Sequence, residues 1–149
     1  MAKYVKSAFN TRIPCICQVR TAYIVYDNVR VGTISEERND AGEFDWVIKI
    51  FWDVWDKHQF PPIAGIDVDL RLDEYIRNGV IPSFVEQRTL PDERANIREE
   101  LQKLGLRNND RFEFMCRTHG ICGPSRYTVE RAESKSSLSE NLDGEDYIA

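Results

Sequence analysis

The sequence predicts an α+β domain. Strand-like alternation dominates the first third, in "VRTAYIVY" and "VRVGTI" on either side of Asp27-Asn28, and again from Phe44. Two short helix patterns stand back to back in "LPDERANIREELQKLGLRNNDRFEFMCRTHG", residues 90 to 120, each with its own start and stop signal. The 149 residues fit one domain that can bury a core without disulfide staples, and a hydrophobic fraction of 42% is ordinary for a globular protein.

The elements follow in order. "PCICQV" alternates and suits an edge strand. Residues 19 to 35 read as a hairpin turning at Asp27-Asn28. "SEERNDAGE" reads as a polar loop. "FDWVIKIFWDVWDKHQF" fits a strand from 43 to about 48, then one or two helical turns to 57, ended by Pro61-Pro62. Ile66, Val68 and Leu70 alternate as in a short strand, and Pro82 opens a helix over about 82 to 88. Asp92 is placed to cap a helix whose Ile97, Leu101 and Leu104 form one apolar stripe, with Gly105 just past its end. Asn109 or Asp110 caps the next helix, with Phe112, Met115 and Cys116 inward and Gly120 at its end, and "GPSRYTVER" supplies a turn and a final strand.

Net charge is -5 and the sequence pI about 5.1, which argues against direct nucleic-acid binding, since phosphate neutralisation needs Lys and Arg. Residues 130 to 149 hold six acids and two bases, so the body is nearly neutral. The organisation expected is an N-terminal strand or arm over 1–18, a domain over 19–130, and an acidic tail over 131–149 too polar to order itself. The first residues hold no long apolar run, and "WVIKIFWDVW" is too short and interrupted to span a bilayer. A cytoplasmic protein with reduced thiols and no membrane contact is expected.

Several constellations bear on chemistry. Cys15, Cys17, Cys116 and Cys122, with His119, are borderline-soft ligands that suit tetrahedral zinc if the N-terminal strand lies beside the last helix. The spacings C-x-C and C-x5-C are not those of the usual knuckles, and cysteines are often buried without any metal. Cys116 and His119 sit three apart on one helix, as a nucleophile and its base would, but nothing nearby supplies an oxyanion hole. Asp67 and Asp69 would point the same way on a strand, as paired acids do in some hydrolases and equally on any wet strand face. No phosphate loop, dinucleotide-binding glycine motif or kinase catalytic motif occurs. Trp46, Trp52 and Trp55 fall within ten residues, with Phe44, Phe51 and Phe60 around them. Either all are core residues, or at least one is exposed as an interaction anchor.

Longer stretches resemble a known family. "VYDNVRVGTI", "FDW", "FPPIAGIDVDL", "VIPSFVEQRTLPDERANIREELQKLGL" and "DRFEFMCRTHGICGPSRYTV" resemble, in that order, the segments of the N-terminal subdomain 1 of HipA-type toxin kinases. The resemblance covers about residues 19 to 130 and departs from the family where its "PLS" run is "PPIAG" here. It implies a small, strongly curved antiparallel sheet packed with short helices. The kinase body of the family has no counterpart in these residues, so no catalytic residue and no cofactor are expected. The arrangement is similar to the free-standing subdomain, HipS, of three-component HipBST systems. That likeness implies a non-catalytic antitoxin or regulatory subunit docking on a separately encoded HipA-like Ser/Thr kinase (HipT-like), with a helix-turn-helix DNA-binding protein joining through the complex. The partner-binding residues expected are Trp46, Phe51, Trp52 and Trp55. The alternative is a zinc-stabilised interaction domain with an unrelated partner.

Overall fold

A computed structural model describes residues 12–132. Its centre is an open five-stranded antiparallel sheet in the order β4-β3-β2-β1-β5, formed by β1 (Ile16–Tyr26), β2 (Val29–Asn39), β3 (Phe44–Ile50), β4 (Tyr75–Asn78) and β5 (Tyr127–Arg131). Among the described residues four short helices accompany it: α1 (Trp52–Lys57), α2 (Ser83–Glu86), α3 (Ile97–Lys103) and α4 (Arg111–Arg117). The α+β expectation holds.

The first hairpin is longer than its apolar pattern. Asp27 and Asn28 both take positive φ, 50° and 69°, the paired left-handed geometry that lets a two-residue turn follow the twist of its strands. β2 then runs on to Asn39, through residues expected to be loop. Those charges are paired instead of solvated: Glu36 is 3% exposed and accepts from Arg38 Nη2 at 2.8 Å and from Arg20 Nε at 3.1 Å. Asn39 closes the next turn, its Oδ1 accepting from the backbone N–H of Ala41 and Glu43. Gly32 is needed by close approach, because a Cβ there would press into the carbonyl oxygen of Lys49 on β3.

One sheet face carries the core. Ala22 and Ile24, Ile34, then Trp46, Ile48 and Ile50, and Val129 share this face in register. Phe84 and Val85 of α2, and Phe112, Met115 and Cys116 of α4, close over it. Full burial of each large side chain contributes about 2–3 kcal/mol, which outweighs the weak propensity of helices this short. On the opposite face Val47 and Ile76 are also buried, and Asp45 accepts from the Ile13 N–H at 2.8 Å and from Asn78 Nδ2 at 2.7 Å.

Several expected elements differ. Residues 66–70 form turns and no strand, because the loop drops Ile63, Ile66 and Leu72 into the core at irregular spacing. The strand lies further on, at Tyr75–Asn78. Asp92 does not cap α3, which starts only after Asn96; its carboxylate instead accepts from Asn109 Nδ2 at 2.7 Å. Pro82 precedes α2 as its N-cap residue, and the helix stops at Glu86. Gly105, φ 75°, does end α3: its N–H bonds Gln102 O, and the Leu106 N–H bonds Leu101 O. Asp110 caps α4 through the Glu113 N–H at 3.2 Å. The left-handed residue ending α4 is His119, φ 58°, with Gly120 following and bonding Met115 O. The acidic stretch from Glu133 and the first eleven residues lie outside the described residues.

Candidate partner-binding site

α1 starts where β3 stops. The Phe51 N–H bonds Val31 O at 2.8 Å and the Trp55 N–H bonds Phe51 O at 2.9 Å, so the chain turns directly from strand into helix. Asp53 in the first turn and Lys57 in the last suit the helix dipole. None of its residues is buried. A helix this short has little stability of its own, so its aromatic side chains hold it against the body.

Those aromatics form a connected file. Trp52 and Trp55 meet edge to face at 6.2 Å, Trp55 and Phe60 lie 5.3 Å apart, Phe60 and Tyr26 5.6 Å, and Tyr26 and Tyr127 4.8 Å. His58 lies on the other side of Phe60, at 5.1 Å. The file runs inward to Tyr127, whose hydroxyl donates to Pro61 O at 2.6 Å and whose pKa burial pushes up. At the outer end Trp52 is tied down: its indole N–H donates to Leu72 O at 3.1 Å, and Arg71 lies 4.7 Å over its ring while ion-pairing with Asp56. Trp55 differs. It is half-buried, and its indole N–H finds no acceptor among the described residues. It borders a groove of about 300 Å³ lined also by Phe60, Pro62, Val68, Asp69 and Arg71.

The expected partner-binding residues therefore divide. Trp46 is 1% exposed and packs 6.2 Å from Phe112, so it is a core residue and cannot meet a partner without unfolding. Phe51, Trp52 and Trp55 are half-buried, and Trp55 alone among them borders the groove. Arg71, Phe60 and Asp69 join this site from the loop. Phe60 stands beside the tryptophans in the sequence, but nothing there groups Asp69 and Arg71 with them, because the return of the 61–72 segment onto α1 leaves no periodic signal.

The cysteines are dispersed. Cys15 and Cys17 are exposed, and Cys17 Sγ donates to Asp40 Oδ1 at 3.2 Å. Cys122 Sγ contacts Gln87 O at 3.3 Å, and Cys116 is buried in the core. Among the described residues no group of three or more His, Cys, Asp and Glu is arranged to hold a metal ion, so the expected zinc set of Cys15, Cys17, Cys116 and Cys122 does not converge. Burial pushes the Cys116 thiol up to about 11, the reverse of what a nucleophile beside His119 needs. Asp67 and Asp69 sit exposed in turns, not side by side on a strand. Among the described residues no helix is long and apolar enough to cross a membrane. No protein-family profile, curated protein or solved structure matches the chain.

Proposed function

We propose that this chain is a non-catalytic protein-binding module, an antitoxin or regulatory subunit that docks on a separately encoded HipA-like Ser/Thr kinase. One observation carries the reading: a helix with no buried residue presents Trp55, partly buried and with its indole N–H unengaged among the described residues, beside a groove lined by Phe60, Pro62, Val68, Asp69 and Arg71. Tryptophan in that setting desolvates a large area on contact and still has a hydrogen bond to give, the combination found at binding hot spots. The element order adds support, since a two-residue hairpin, a strand and short helices follow one another as in the family the sequence resembles. On this reading the chain works in the cytoplasm with its thiols reduced, and a helix-turn-helix protein contacts DNA on behalf of the complex.

The test is co-purification of the tagged chain from its native host, with partners identified by mass spectrometry. A HipA-like kinase is expected. Trp55→Ala should then weaken its binding by about 2 kcal/mol, near thirtyfold, with the sheet and its core intact. Trp46→Ala should instead cost about 3–5 kcal/mol of stability. A kinase that binds Trp55→Ala and Trp52→Ala as tightly as the unaltered chain would remove this surface from the account, and unrelated partners would remove the function.

A further inference from the structure

The structure holds an internal example of how this face takes a cation. The Arg71 guanidinium carbon lies over the Trp52 ring, 4.7 Å from its centroid, and Arg71 is ion-paired with Asp56. The neighbouring ring has the same components without the cation: Trp55 borders the groove and Asp69 stands at its rim. Asp69 has no hydrogen bond or ion pair among the described residues. Asp53 and Asp67 are likewise exposed and without an ion pair among the described residues. The charge of Arg71, which also lines the groove, is met by Asp56, so Asp69 is left without a cation of its own. Phe60, Pro62 and Val68 supply apolar walls along which an alkyl stem can lie.

We propose that the groove between Trp55 and Asp69 binds an arginine side chain on an extended segment of the partner. Its guanidinium stacks on Trp55 and its fork donates to Asp69, while the Trp55 indole N–H donates to a carbonyl of the same segment. Arginine fits better than lysine because a planar, weakly hydrated cation can stack and bridge a carboxylate together. About 300 Å³ holds one long side chain, not a nucleotide or a second folded element. A wider hollow of about 910 Å³ beside His119 and Ile121 has its rim charges, Arg30 and Glu130, paired to each other and offers no such complement. The proposal rests on reading this aromatic face as the partner surface.

The full chain is titrated with the blocked tripeptide acetyl-Gly-Arg-Gly-amide and with its citrulline counterpart, which keeps the shape and loses the charge. The three indole N–H signals are followed by NMR. The Trp55 signal should move saturably while those of Trp46 and Trp52 stay. The arginine peptide should bind about tenfold tighter than the citrulline peptide, and Asp69→Asn should erase most of that difference. Equal binding of the two peptides, a shift confined to Trp52, or no shift at all would overturn the proposal. Kinase binding is measured on the same variants. A kinase released by Trp55→Ala but indifferent to Asp69→Asn leaves the docking surface standing and removes the arginine. Peptide selectivity with no kinase in the native complex does the reverse.

Discussion

Arg20 and Asp110, ninety residues apart in sequence, form a two-pronged ion pair: Nη1 donates to Oδ2 at 2.7 Å and Nη2 to Oδ1 at 3.0 Å. Asp110 is also the cap of α4, so one guanidinium fastens that helix to the sheet. Arg20 serves the buried Glu36 as well, and its guanidinium carbon lies 4.9 Å from the centroid of the Phe112 ring. Loss of the side chain would leave Glu36 with Arg38 alone. Because Arg20 is itself 29% exposed, water offsets part of that loss, and Arg20→Ala should cost about 2 kcal/mol in urea unfolding. Arg20→Lys keeps the charge but not the fork and should cost about 1 kcal/mol. Stability unchanged in Arg20→Lys would show that the paired geometry contributes nothing.

The same cluster sets an acid limit. Burial opposes the charged form of Asp110, but hydrogen bonds from Arg20 and the Glu113 N–H prevail and hold its carboxyl below its ordinary value. Hydrogen bonds from Arg131 do the same for Glu113 against its burial. A carboxylate depressed in the folded state stabilises fully above its unfolded pKa and loses that contribution as pH falls through the folded one. Stability should therefore be flat through neutrality and fall from about pH 5 downward. Asp110→Asn should flatten that decline, as followed by thermal melts across pH 7 to 3. An unaltered acid slope in this variant would place the titrating groups elsewhere.

The thiols should react in a set order. Cys15 is exposed, and Cys17 is exposed but held toward its protonated form by its hydrogen bond to Asp40. Cys116 is buried with its thiol pushed up to about 11. Alkylation at pH 8 read by peptide mass spectrometry should label Cys15 before Cys17, and Cys116 only after unfolding. Early labelling of Cys116 would mean that α4 opens locally.

Backbone geometry yields a stabilising change and a damaging one. His119 ends α4 in the left-handed conformation, φ 58°, that favours glycine. His119→Gly should raise stability by about 0.5–1 kcal/mol by relieving that strain. Gly32→Ala should cost about 3 kcal/mol, since its methyl group meets the Lys49 backbone. A neutral His119→Gly would mean that the ring makes compensating contacts.

The sequence is legible where local rules agree. The β1–β2 hairpin shows in alternating apolar residues around Asp27-Asn28, and α3 shows in an apolar stripe ended by Gly105. The second half of β2 is illegible because Glu36 and Glu37 look like loop until Arg20 and Arg38 meet Glu36 and Arg12 meets Glu37. Residues 66–70 mislead for the opposite reason: of the alternating Ile66, Val68 and Leu70 only Ile66 is buried, and Leu70 is 48% exposed on a turn. At the candidate site, the tryptophan cluster is visible by counting, but crowding leaves none of the three exposed: Trp46 is buried, and Trp52 and Trp55 are partly buried against the core. Which tryptophan lies inside is decided by strand register, which sets Trp46 opposite Glu36 on the core face. The company of Trp55 depends on the return of residues 60–71, a tertiary event with no local signature.

β1 is paired with β2 immediately after it and with β5 about a hundred residues later. The near pairing closes over two residues and forms early, whereas the far one must wait for a long loop to close. On the ribosome, therefore, the hairpin emerges and pairs while Ala22 and Ile24 still lack Val129 beside them. The core is not sealed until almost the last described residues have been synthesised, and until then the nascent chain shows a ready-made strand edge to whatever it meets.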